Sequence, residues 1–213
     1  MSTPLFIVLE GIDGSGTTTQ ARLLAEWLEG TGRRALVTAE PTHGPVGAII
    51  HQILQGRLTH APAGERVPVD EVTLALLFAA DRSDHLQNVV LPALAAGRVV
   101  VSDRHYLSSV AYQSLGVDMA WVEALNSRFR RPELTIVLDI DPAASVQRKR
   151  AQSLAAERYE QVHFLERVRE NYHEALQHAR AAGERVEVLD AAGSVEAVRE
   201  RIRGLVAPLI EGR

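Results

Sequence analysis

Four residues separate Gly11 from Gly16 in the segment EGIDGSGTTTQ (10–20), and Thr17 and Thr18 follow directly. This is the spacing of a phosphate-binding loop, Gly-x4-Gly-Lys-Ser/Thr, with threonine where the lysine belongs. Glycine permits the backbone angles that aim successive N–H groups at phosphate oxygens, and a helix starting at the loop adds partial positive charge. That cradle, Gly11, Ile12, Asp13, Gly14, Ser15, Gly16, Thr17, Thr18 and Thr19, needs no lysine side chain. Thr18 holds the position whose hydroxyl helps to bind Mg²⁺. Losing the ammonium costs on the order of 10² in rate or affinity when nothing replaces it. The alternative is a glycine-rich strand-to-helix turn without a ligand, in which Asp13 serves the turn alone.

Such a loop needs a buried strand before it and an amphipathic helix after it, and both are present. Apolar runs recur at 5–10, 34–38, 98–103, 134–140 and 185–190. They are nearly continuous, as strands buried on both faces of a parallel sheet are. Helical spacing fills the intervals, over 18–29, 69–94, 166–182 and 194–210. Asp141-Pro142 is a helix start with proline in the first turn, and Ser194 is half of a capping box. Strands alternating with helices imply right-handed crossovers and a doubly wound α/β sheet in one domain spanning 1–213. The segment 55–68, with Gly56, Pro62, Gly64 and Pro68, is expected to be an exposed connection.

The chain has 213 residues, no cysteine and a net charge of -4. Structural disulfides and thiolate metal sites are therefore excluded, and the charge speaks against a general nucleic-acid coat. No stretch approaches the roughly 20 apolar residues that cross a bilayer, nor does MSTPLFIVLEG read as a secretory signal, so a cytoplasmic protein without a membrane partner is expected. Of 23 basic residues only Lys149 is a lysine. A taste for arginine does not account for a threonine at position 17. The eight histidines form no pair with metal-ligand spacing.

Three motifs in order, EGIDGSGTTTQ, LLFAADRSDH (76–85) and DRHYLSSVAYQ (103–113), together with the Glu40-Pro41 turn, resemble the thymidylate kinase family of P-loop nucleoside monophosphate kinases. The resemblance covers nearly the whole chain. It implies a three-layer sandwich around a five-stranded parallel sheet in order 2-3-1-4-5, a homodimer, ATP with Mg²⁺, and phosphorylation of dTMP to dTDP. Kinases of another pyrimidine deoxynucleoside monophosphate, or a non-catalytic nucleotide-binding paralogue, are the alternatives.

The site residues follow from that resemblance. Phe78 offers a flat apolar face for thymine, and Arg82, one helical turn later, a guanidinium for a base carbonyl. Asp103 is placed to hold Mg²⁺, through water, and Arg104 to clamp the acceptor phosphate. Ser109, Tyr112 and Gln113 share one helical face along the deoxynucleoside pocket. Asp13 lies near the sugar 3′-hydroxyl and the transferring phosphate, and Glu40 on the substrate side. Gly14 stands where some relatives carry arginine. Charge at the transferring phosphoryl group is therefore expected from a lid, VQRKRAQSLAAERYE (146–160), with Arg150 and Arg158 as the catalytic arginines and a weakly structured centre at 152–157. Its ordinary alternative is a solvated basic helix. Two departures from bacterial relatives stand out: Gln152 near the lid tip, and Ala39 before the Glu-Pro turn where arginine is usual.

Overall fold

The computed structural model describes residues 5–58, 67–148 and 155–211, apart from the side chains of 155–160 and 211. Five parallel strands, β1 (Phe6–Glu10), β2 (Ala35–Ala39), β3 (Val99–Asp103), β4 (Leu134–Asp139) and β5 (Val186–Asp190), form one sheet in the order β2-β3-β1-β4-β5. Leu9 pairs with Asp103 and Glu10 with Val137, so the ends of β1, β3 and β4 lie side by side. That is the expected order and the expected edge for a ligand.

The central strands β1 and β3 are buried at every position, whereas the edge strands alternate and leave Val37 and Val188 exposed. Continuous apolar runs thus overstate burial at the two edges, where each strand has only one neighbour. The two faces of β1 enter different cores: Ile7 and Leu9 pack in one cluster, Phe6 and Val8 in the other.

Helices α1 (Thr17–Gly30), α8 (Ala155–Ala181) and α9 (Val195–Glu211) match expected segments. The long apolar stretch from 69 to 94 becomes α3 (Glu71–His85), a π-helical turn (Leu86–Val90) and α4 (Leu91–Ala95), with Asp70 capping α3 by accepting from the Thr73 N–H at 3.0 Å. Helices α2 (Pro45–Leu54) and α6 (Met119–Asn126) were not among the expected segments, although Val46, Ile49, Ile50, Ile53 and Leu54 of α2 carry helical spacing. Helix α5 (Tyr106–Gln113) carries Ser109, Tyr112 and Gln113, and α7 (Pro142–Arg148) starts at the Asp141 cap. The expected weak centre at 152–157 is corrected in part: α8 already begins at Ala155, while 149–154, with Lys149, Arg150 and Gln152, lie outside the described residues. Arg158 lies on α8 with its side chain outside them too. Much of the connection at 55–68 also falls there.

Candidate active site

The loop between β1 and α1 has the geometry its glycines predict. Gly14 and Gly16 have φ of +84° and +100°, and Gly16 caps α1 in the left-handed region. A cavity of about 740 Å³ opens over Asp13 to Gln20, bounded also by Arg104, Arg148 and the segment Gly193–Val195 before and into α9. The loop is buttressed from behind: Ser145 on α7 donates its hydroxyl to the Asp13 carbonyl.

Across the sheet edge, Thr18 donates its hydroxyl to Asp103 Oδ2. Asp103 Oδ1 is buried without a protein partner. A threonine whose proton is committed to a carboxylate turns oxygen lone pairs to other uses, and an orphaned carboxylate oxygen costs free energy unless something meets it. These two residues therefore fit Mg²⁺ beside the phosphate cradle. Among the described residues no cluster of three or more His, Asp or Glu fits a metal, which suits an ion held jointly with substrate phosphates.

Arg104 closes β3 with φ +73°, a left-handed conformation that costs a non-glycine residue on the order of 1–2 kcal/mol. Its Nη2 donates to Asp13 Oδ1 at 2.7 Å, and its guanidinium lies 5.1 Å from the Tyr112 ring centre. Tyr112 donates to the same Asp13 oxygen at 3.0 Å and accepts from the Asp13 N–H at 3.0 Å. Burial pushes the Tyr112 hydroxyl up to about 12, so it stays a donor at neutral pH. One acid in the glycine-rich loop thus joins the arginine after β3 and a tyrosine of α5.

The remaining expected residues divide. Phe78 is half-buried and belongs to neither core cluster. Ser109 and Gln113 turn inward, and Gln113 Oε1 has no protein partner. Arg82 is 1% exposed and four of its guanidinium N–H groups meet protein acceptors: Glu40 Oε2 at 2.9 Å, Asn126 Oδ1, the His105 carbonyl at 3.0 Å and Ser109 Oγ at 2.9 Å. These contacts brace the wall formed by those residues, and they leave one guanidinium N–H without a protein acceptor.

Glu40, next to a cis Glu40-Pro41 peptide, is the counter-charge in that wall. Burial alone would raise its pKa, but the Arg82 guanidinium and His105 more than offset this and hold it well below the usual carboxylate range. Its Oε1 also accepts from His85 Nδ1 at 2.9 Å.

Arg148, within the basic segment 146–160, lines the phosphate-loop cavity with Nη2 held by the Ala191 carbonyl at 2.9 Å, and one further contributor was passed over in the sequence. Glu10, fully buried at the end of β1, accepts from the His105 N–H at 2.9 Å, and from Ser108 and Tyr172. Burial pushes its pKa up to about 7 against the pull of Ser108 and Arg104. An acid closing an otherwise apolar strand was the available signal.

A family model described as thymidylate kinase matches residues 9–202. The chain belongs to the thymidylate kinase family. Among relatives, a protein of Thermococcus kodakarensis named "Probable thymidylate kinase" is 39% identical over 97% of this chain and 98% of its own length. One of Pyrococcus horikoshii with the same name is 41% identical over 94% and 95%. A "Thymidylate kinase" of Thiobacillus denitrificans is 40% identical over 98% and 100%. The matched residues span the loop without lysine, α3 and the β3–α5 corner.

Proposed function

We propose that the chain is an ATP-dependent thymidylate kinase, transferring the γ-phosphoryl group of ATP to dTMP to give dTDP and ADP. The observation that carries this reading is the single carboxylate oxygen of the loop, Asp13 Oδ1, on which Arg104 after β3 and Tyr112 of α5 converge. Phosphoryl transfer asks the protein mainly to position two substrates and balance charge.

Backbone N–H groups of the loop and the start of α1 hold the donor phosphates. When bound, Mg²⁺ neutralises charge on the phosphate oxygens, and Thr18 with Asp103 would hold it. Arg104 grips the acceptor phosphate while Asp13 fixes the arginine and, with Tyr112, receives the sugar. Phe78 stacks on thymine. Glu40, Arg82, Ser109 and Gln113 form the wall that gives the pocket its shape. Arg150 and Arg158 supply positive charge at the transferring group in place of a loop lysine.

The same reading makes the protein a cytoplasmic homodimer that does not engage nucleic acid. No helix among the described residues is long and apolar enough to cross a membrane. Exposed Ile49 and Leu54 on α2 and Val72 and Leu76 on α3 supply an apolar surface suited to a second copy.

A coupled steady-state assay with ATP and, in turn, dTMP, dUMP and dCMP tests the activity. The highest kcat/KM is expected for dTMP. Equal turnover of dCMP would assign a broader pyrimidine kinase. Inactivity on every monophosphate with ATP or GTP, relieved by Thr17→Lys, would leave a nucleotide-binding protein without catalysis.

A further inference from the structure

The strained conformation of Arg104 has to be imposed by its surroundings, because a non-glycine residue relaxes out of the left-handed region when nothing holds it. Three contacts impose it. The Arg104 N–H donates to the Leu9 carbonyl at 2.8 Å, and the Arg104 carbonyl accepts from Ser102 Oγ at 2.8 Å. The next N–H along the chain, that of His105, donates to Glu10 Oε1 at 2.9 Å.

Glu10 does more than take that one bond. Its Oε1 also accepts from the Ser108 N–H at 3.3 Å, and its Oε2 from the Ser108 hydroxyl and from the Tyr172 hydroxyl at 3.1 Å. All four groups are donors, and an ionised carboxylate is an acceptor with room for four. His105 N and Ser108 N are orphan N–H groups at the start of α5, which neither an intrahelical bond nor a side chain of α5 itself caps. An acid on the neighbouring strand thus serves as the cap of α5. Glu10 does not line the phosphate-loop cavity. Packing alone does not call for it either: the four positions before it in β1 are filled by Phe6, Ile7, Val8 and Leu9.

We propose that Glu10 is a positioning residue for acceptor binding: by pinning the peptide between Arg104 and His105 and the first turn of α5, it holds the Arg104 guanidinium where the acceptor phosphate arrives. This rests on the reading of Arg104 as the phosphate clamp. Glu10 touches no reacting group itself. Its effect is therefore confined to the part of the acceptor that Arg104 grips.

The phosphate preference of the site, the ratio of thymidine to dTMP dissociation constants measured by calorimetry on the full chain, reads this directly. Thymidine shares the base and sugar but lacks the phosphate. Glu10→Ala is expected to weaken dTMP binding by about 10-fold or more while thymidine binding changes by less than about 3-fold, and to raise KM for dTMP but not for ATP. Glu10→Gln keeps a carbonyl oxygen for the two backbone N–H groups, and Ser108 and Tyr172 hydroxyls can turn to accept from its amide. It is expected to restore most of the preference. Ser108→Ala, which keeps the His105 pin, should give an intermediate loss, and it stands in if Glu10→Ala does not fold. Equal weakening of thymidine and dTMP, or an unchanged ratio in Glu10→Ala and Ser108→Ala, would overturn the proposal. Arg104→Ala separates the two readings. If it abolishes the preference while the Glu10 and Ser108 variants keep it, only the role of Glu10 falls. If it leaves the preference intact, the clamp reading of Arg104 falls as well.

Discussion

Position 17 opens α1 with a buried threonine where a lysine would bring an ammonium to the phosphates. The loop backbone is built regardless, and Arg104 and Arg148 already border the cavity above it. Thr17→Lys is expected to raise kcat/KM for ATP, by up to about 10², in a steady-state assay. The neighbouring Gly14 is constrained more tightly. A Cβ there would lie 2.8 Å from the Ser145 carbonyl of α7, and its φ is already in the left-handed region. Gly14→Arg, which copies the residue that some relatives carry at this place, is therefore expected to destabilise the fold by about 2 kcal/mol or more without adding activity. Thermal melts beside the kinase assay separate the two effects. The sequence shows which residue stands at 14; only the approach of α7 shows why it stays glycine.

Among the elements, the turn from β2 into α2 carries the most dependent geometry. Its Glu40 N–H donates to the Asp103 carbonyl at 3.0 Å, and Thr42 gives both its N–H and its hydroxyl to Asp81 of α3, at 2.7 and 2.6 Å. Helix α2 then folds back so closely that a Cβ on Gly47 would meet the Thr42 carbonyl at 2.1 Å. Gly47→Ala must push α2 off this turn. It is expected to cost about 2 kcal/mol and to raise KM for dTMP more than for ATP, since the turn positions Glu40 and the pocket wall rather than the phosphate loop. Chemical denaturation and paired KM measurements check both parts. The helix itself is written in PVGAIIHQIL, where Val46, Ile49, Ile50, Ile53 and Leu54 share one side, but its close approach to the Thr42 turn is not.

At the scale of the whole molecule, the buried acids Glu10 and Glu40 give stability opposite dependences on pH. Glu40 has its pKa lowered, so its contribution is present above about 4.5 and is lost as pH falls. Glu10 has its pKa raised from 4.5 to about 7, so the folded state binds that proton more tightly than the unfolded chain. Its contribution is complete below about 4.5 and is lost as pH rises to about 7. Glu10→Gln cannot titrate. Its Tm relative to the parent is expected to be higher at pH 8 than at pH 5; a constant difference would mean that Glu10 does not titrate in that window. Assembly is tested separately. The proposed homodimer predicts that the parent chain elutes as a dimer, and that Leu76→Asp, in the exposed apolar surface of α3, elutes as a monomer in size-exclusion chromatography with light scattering.

The sequence by itself determined the five strands, the phosphate loop and its missing charge, and the ordered motifs that mark the family. Each of these is written in local spacing: apolar runs, glycines at fixed offsets, an acid and an arginine after a strand. Tertiary structure alone decided which polar groups face each other. Phe78 and Arg82 lie one helical turn apart in sequence, yet the fold leaves Phe78 outside both cores and surrounds Arg82 with Glu40, Asn126, His105 and Ser109 from three other parts of the chain. Likewise Glu10 looks like the end of a strand until β3 brings Arg104 and α5 alongside it. Hydrogen bonds between residues some 40 to 160 positions apart depend on strand order and helix approach, and no local pattern encodes them.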